Sequence, residues 1–271
     1  MNHSKPASAL SALPNNRAWR PEPATSDRHL PLAYTVKLAS DAKEFRAALR
    51  LRYEVFNLEL REGLQTSHST GFDFDAFDAV ADHIIVKCAY SHRIVGTYRL
   101  QKGDIAALNL GYYSEREFDF TPYQRIRPQV LELGRACIHQ DHRNTQVLML
   151  LWKAIASYGI QHGCRYLIGC SSLSSQDAAV GAAVYAKMTK FLADPELQTR
   201  PQPPYTCALS SSAPAHEAKV PKLLRAYLTI GAQICGPPAL DAEFGTIDFL
   251  TLLDLAKVPK GLFSRVSQSQ L

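Results

Sequence analysis

The order of elements along these 271 residues predicts an α+β fold around one largely central sheet. Three observations carry that expectation. Hydrophobic residues make up 46% of the chain and charged residues 20%, a globular mixture that excludes wholesale disorder. Strand-like and helical runs follow one another in the mixed order β, α, hairpin, β, α, β, α, loop, α, β. No internal repeat is found along the chain.

Residues 1–33 are rich in Pro, Ser, Ala and Asn and lack periodicity, so they are expected to form a disordered tail. Residues 34–271 are expected to form one domain, with its C-terminal part as an extension. Tyr34 to Leu38 alternates like a first strand. Ser40 and Asp41 supply an N-cap, and Glu44 suits the first turn of a helix reaching about Phe56. The inward stripe of that helix reads Phe45, Leu49, Arg52, Phe56, with a charge where a fourth apolar residue belongs. Gly71 to Asp82 is an acidic, aromatic loop. His83 to Tyr90 and Arg93 to Leu100 read as a hairpin closed at Ser91-His92. Ser114 to Glu117 resembles a short helix start, and Val130 to His139 a buried strand. Asn144 or Thr145 opens a helix to about His162. Tyr166 to Leu173 is β-rich, Ser175 to Phe191 helical, and Gln198 to Pro214 a long proline-bearing loop. Lys222 to Ile230 reads as a helix and Thr246 to Leu253 as a last strand.

Composition narrows the function classes. Thirty basic against 25 acidic residues leave a net charge of +5, which suits an acidic partner or anionic membrane surface without demanding nucleic acid. Six scattered cysteines form no C-x-x-C pair and no secreted disulfide framework, so cytosolic thiols are expected. No uncharged apolar stretch is long enough for a membrane span, and the first residues do not read as a signal peptide. A cytoplasmic protein is expected, with peripheral contact to the inner membrane face left open through the helix Pro221 to Ile230.

The strand Leu131-Glu132-Leu133-Gly134-Arg135-Ala136-Cys137-Ile138-His139 carries two charges in an apolar run. Strict alternation would send Glu132 and Arg135 to opposite faces, and a bulge at Gly134 would bring them to the same one. Their alternatives are a catalytic task or a buried ion pair tying the strand to its neighbour. The loop Asp73-Phe74-Asp75-Ala76-Phe77-Asp78, followed by Asp82-His83, gathers acids that repel unless a positive group faces them. Arg52 and Arg99 are the candidates. A metal is disfavoured, because the loop lacks the glycine and the ligating glutamate of a calcium loop. Cys137 or Cys170 would need a nearby base to serve as a nucleophile, and core thiols are commoner.

These stretches, in this order, resemble the GNAT-fold L-ornithine N-alpha-acyltransferases, often labelled hemolysin-like, and more distantly the acyl-homoserine-lactone synthases. The resemblance rests on Leu51-Arg52-Tyr53-Glu54-Val55-Phe56, Asp75-Ala76-Phe77-Asp78 with Asp82-His83, and Ile94-Val95-Gly96-Thr97-Tyr98-Arg99-Leu100. It continues through Glu132-Leu133-Gly134-Arg135, the helix start from Arg143-Asn144, Gly169-Cys170-Ser171-Ser172-Leu173, Gly231 to Ala239 and Asp248-Phe249. It covers about residues 34–265. It implies a GNAT-like mixed sheet flanked by helices. The synthases carry a Trp soon after the first-helix Phe. Leu58, Leu60 and Arg61 stand in that stretch here, which argues against a homoserine-lactone product.

The resemblance implies transfer of a (3-hydroxy)fatty acyl group from acyl carrier protein to the alpha-amine of L-ornithine. Another amino-acid acceptor such as glycine, or lactone-synthase-like chemistry, stays as the alternative. No tightly bound cofactor and no metal is expected. The donor is the acyl-phosphopantetheine of the carrier protein. Enzymes using acetyl-CoA carry small residues in the turn that cradles pyrophosphate, but here Gln146 and Leu148 replace both. Glu132 is the expected general base, with Arg135 holding the site. Arg52, Phe56, Asp75, Asp78, His83 and Arg99 are the expected acceptor-binding set. Ala136, Cys137, Ile138, Arg143 and Asn144 are expected along the acyl-pantetheine. The basic residues Arg125, Arg127, Arg143, Lys153 and Arg165 would suit an acidic carrier protein.

Overall fold

In the computed structural model, residues 34–209 and 218–259 are described. The tail expected over residues 1–33, the end of the proline loop (210–217) and the last twelve residues lie outside them. Strand β1 (Tyr34–Leu38) leads to helix α1 (Ala42–Tyr53) and a short helix α2 (Ser67–Thr70). Strands β2 (Asp82–Cys88) and β3 (Ile94–Lys102) form the hairpin, followed by helix α3 (Gly103–Leu108) and strand β4 (Val130–Ile138). Helix α4 (Thr145–Gln161), strand β5 (Tyr166–Leu173) and helix α5 (Ala178–Met188) come next. Helix α6 (Lys222–Thr229) precedes strands β6 (Gln233–Ile234), β7 (Ala239–Asp241) and β8 (Thr246–Asp254).

The described strands form one mixed sheet in the order β1-β2-β3-β4-β5-β8-β6, with β7 on β8. All neighbouring pairs are antiparallel except β4 and β5. One face of β1–β4 packs Ile84, Val86, Tyr98, Leu100 and Leu131 against Val147, Leu151 and Ile155 of α4. Helix α4 starts where Asn144 Oδ1 accepts the Val147 N–H (3.0 Å), satisfying an amide the helix itself cannot. The other face carries α1, whose first turn is capped by Asp41 through Glu44 N–H (2.8 Å).

The hairpin differs from expectation in its turn. Five residues, 89–93, separate the strands rather than two, and His92 adopts a left-handed φ of 55°. Exposed Tyr90 gains nothing by extending the ladder. Helix α3 and strands β6 and β7 are too short to carry a readable period. Past Tyr53, α1 widens into a π-helical turn over Glu54–Glu59, with Leu60 N–H bonding Val55 C=O at 3.0 Å. Such a turn re-aims side chains and is frequent at functional sites. Among the described residues no helix is long and apolar enough to cross a membrane.

Candidate active site

Strands β4 and β5 pair only at Val130–Tyr166, Leu131–Leu167 and Glu132–Ile168. Beyond Glu132 they splay apart, leaving the β5-facing edge of β4 without a strand partner among the described residues. Gly169 sits at the fork, where an added Cβ would lie 2.2 Å from the Leu133 carbonyl oxygen. Gly169→Ala is therefore expected to cost about 1–3 kcal/mol, read as a lower midpoint of thermal unfolding.

On its other edge β4 carries a bulge. Thr97 pairs with Cys137 but Arg99 with Gly134, so Arg135 and Ala136 together face Tyr98. Arg135 absorbs the kink with φ 51°, in the left-handed region. The bulge thus falls one residue beyond Gly134, and it does turn Arg135 to the side of Glu132. The Glu132 carboxylate accepts the Tyr113 N–H, and the Arg135 guanidinium lies 4.9 Å from the Tyr113 ring. The two do not pair with each other.

Arg135 belongs instead to a buried network of three arginines and three aspartates. Arg52 donates to Asp78 (2.6 and 3.0 Å) and Asp73 (2.5 Å). Arg99 donates to Asp75 (2.6 Å) and Asp78 (3.2 Å). Arg135 donates to Asp75 (2.9 Å), and its Nε lies 3.4 Å from Asp73. The loop is held by a capping box: Asp75 accepts the Phe77 N–H and Asp78 the Asp75 N–H, both at 2.9 Å. Burial alone would raise the Asp78 carboxyl, but Arg52 and Arg99 hold it well below its usual range. His83 packs against Asp78, and burial lowers its pKa. Opposite charges are thus matched within the network itself.

A cavity of about 270 Å³ runs through the fork. Its apolar part is lined by Tyr98, Trp152, Ile155, Leu224, Tyr227 and Leu253, and its polar part by Glu132, Arg135, Ser171, Asp241 and Asp248. Among the sequence-derived candidates, Glu132, Arg135, Phe56, Arg99 and Ala136 line it. Arg52, Asp75, Asp78, His83, Cys137, Ile138, Arg143 and Asn144 do not. Arg143 makes a two-point pair with Glu59 (2.5 and 2.7 Å), and Asn144 caps α4. Burial pushes the thiols of Cys137 and Cys170 up, away from nucleophilic thiolate.

Glu132 Oε1 accepts both the N–H (2.7 Å) and the hydroxyl (2.6 Å) of Ser114; Oε2 accepts the Tyr113 N–H (2.8 Å). Burial nevertheless raises its pKa above the ordinary value. Oε2 keeps an acceptor position that these bonds do not use. Sequence reasoning missed Tyr113, Ser114, Glu117, Asp241 and Phe244. Asp248 was readable by the rule that singled out Glu132, a charge inside a buried strand.

Sheet, fork and bulge give the GNAT fold, and the acetyltransferase (GNAT) domain model matches residues 51–153. The fold is shared with the AHL synthase LasI (TM-score 0.53, 13% identity, 88% of this chain and 99% of that one). It is also shared with FeeM, an N-acyl amino acid synthase from uncultured soil microbes (TM-score 0.52, 9% identity, 84% and 93%). In sequence, the L-ornithine N(alpha)-acyltransferase of Rhodobacter capsulatus is 33% identical over 235 residues, covering 83% of this chain and 91% of its own. That of Rhizobium meliloti is 28% identical over 239 residues, covering 82% and 80%. The chain belongs to the L-ornithine N(alpha)-acyltransferase family.

Proposed function

We propose that this enzyme transfers a (3-hydroxy)fatty acyl group from acyl carrier protein to the alpha-amine of L-ornithine, giving a lyso-ornithine lipid. The observation that carries this reading is the cavity, whose apolar half suits an acyl chain and whose polar half holds a buried, raised-pKa carboxyl. The family relationship supports ornithine as acceptor.

In this reading the acyl chain lies among Trp152, Ile155, Leu224 and Tyr227, and the thioester sits at the fork. Glu132 takes a proton from the alpha-ammonium, because the protonated nitrogen has no lone pair with which to attack. The nitrogen adds to the thioester carbon; a C–N bond forms and the C–S bond breaks. The second nitrogen proton ends on the pantetheine thiol. Unpaired backbone amides on the open edge of β4 near Ala136 stabilise the oxyanion. Arg52, Asp73, Asp75, Asp78 and Arg99 form the rigid wall that holds Arg135 beside Tyr113.

The start of α4 supports a carrier-bound donor over a CoA ester. Its first turn carries Gln146 and Leu148 where a pyrophosphate cradle needs small residues. Exposed Leu60 and Leu223 at the cavity rim supply apolar surface for the carrier protein, and fit peripheral contact with the membrane that takes the product. Basic steering is weaker than the residue count suggests, since Arg127, Arg143 and Arg165 pair with Glu115, Glu59 and Asp254. Purified protein with L-ornithine is expected to turn over palmitoyl-acyl carrier protein at least tenfold faster than palmitoyl-CoA, by mass spectrometry of the N-acyl product. Equal use of the two donors would overturn the donor assignment.

A further inference from the structure

Beside Glu132 lies a second group of acids that the chemistry above does not use. Glu117 follows the short turn Ser114–Arg116; Asp248 lies on β8 opposite Ser172 of β5; Asp241 ends β7. All three are buried, with Glu117 1% and Asp248 3% exposed. Ligating atoms of Glu117, Cys170 and Asp248 lie within 4.8 Å of one another. Asp241 Oδ2 accepts the Tyr113 hydroxyl at 3.2 Å. Among the described residues no Lys or Arg pairs with any of the three. The contrast with the Asp73, Asp75 and Asp78 network is sharp, because there every carboxylate meets a guanidinium.

Three observations point to a ligand. Asp248 and Asp241 line the polar half of the cavity. Glu117 Oε1 and Asp248 Oδ1 are buried without a hydrogen-bond partner among the described residues, which a folded protein tolerates poorly. Burial pushes Glu117 well above the usual carboxyl range, with repulsion from Asp248 and Asp241, and burial with repulsion from Asp241 pushes Asp248 up to about 6. A contact relay connects this group to the general base: Ser114 Oγ lies 2.6 Å from Glu132 and 3.4 Å from Cys170 Sγ, which lies 3.6 Å from Glu117.

We propose that Asp248, with Asp241 and with Glu117 behind it, binds the side-chain ammonium of the acceptor and makes the enzyme select a diamino acid over analogues that lack that amine. This rests on the ornithine reading above. An alkylammonium offers three donors beside the unfilled Asp248 Oδ1, and its charge compensates carboxylates that no Lys or Arg among the described residues meets. The alpha-amine then stands at Glu132 while the side chain crosses Ser114 and Cys170. The Asp75 and Asp78 loop, expected from the sequence to contact the acceptor, has no uncompensated charge to offer.

The test compares L-ornithine with L-norvaline, which lacks only the terminal amine, using the acyl-carrier donor. Wild-type kcat/KM is expected to favour ornithine by about 100-fold or more, and Asp248→Asn to remove most of that preference, read as the ratio of the two kcat/KM values. Equal wild-type use of both amino acids would overturn the pocket and leave the ornithine reading standing. Acylation of neither, with another amino acid accepted, would overturn the ornithine reading instead. Should Asp248→Asn fail to fold, wild-type thermal shifts decide. Ornithine is expected to raise the unfolding midpoint and norvaline not to, and equal shifts would refute the pocket. Stoichiometric zinc in the purified protein, with activity lost on chelation, would make the cluster a metal site and overturn the proposal.

Discussion

Glu132→Gln is expected to lower kcat by roughly 10²–10⁴-fold, the ordinary contribution of a positioned general base. The amide keeps the shape of the side chain, and its oxygen can still accept the two hydrogen bonds from Ser114. Its NH2 cannot accept the Tyr113 N–H, so some loss of stability accompanies the loss of rate. The two effects separate by measurement: circular dichroism and thermal unfolding read the fold, and single-turnover acylation reads the chemical step. Near-normal turnover in a folded variant would remove Glu132 from the mechanism. The pH profile gives an independent sign. Burial raises the Glu132 pKa, so the carboxylate that accepts the proton forms only as pH rises. Wild-type kcat is therefore expected to fall on the acidic side at a pH above that of an ordinary glutamate, and Glu132→Gln to flatten that limb.

Arg52→Met is expected to be the most damaging single change to stability, at about 3–5 kcal/mol. Arg52 is fully buried, and its guanidinium binds Asp73 and Asp78, both also buried. Burial disfavours the charge on Arg52, but those two aspartates more than offset it. Removing it leaves two carboxylates without their main partner. Arg99 reaches Asp78 at 3.2 Å, and Arg135 Nε reaches Asp73 only at 3.4 Å, so neither replaces it. Urea unfolding would show the loss, and a variant as stable as wild type would deny the network its structural role. The network also predicts the acid side of the stability curve. Asp75 and Asp78 have depressed pKa values when folded, so their contribution is complete above the unfolded value near 4 and is lost as pH falls through the lower folded values. Arg52→Met should be less sensitive to acid than wild type between those limits.

Much of this protein was legible in its sequence, for physical reasons visible at single residues. The strand and helix periods of Tyr34 to Leu38, α1, β4, α4, β5 and β8 were set by apolar spacing and by caps at Asp41 and Asn144, which are local interactions. Charges inside apolar runs marked Arg52, Glu132 and Arg135, because burying a charge needs a partner or a task. Partners are a matter of tertiary structure. Only the folded chain decided that Arg135 serves Asp73 and Asp75, and that the acidic loop is neutralised where it stands. Only the fork beyond Glu132 and the bulge at Arg135 opened a cavity through the sheet. Glu117, Cys170 and Asp248 are far apart along the chain, and only the folded sheet brings them together. Local sequence determines which elements form and which residues are costly to bury. Long-range packing decides which of those costs is cancelled within the fold.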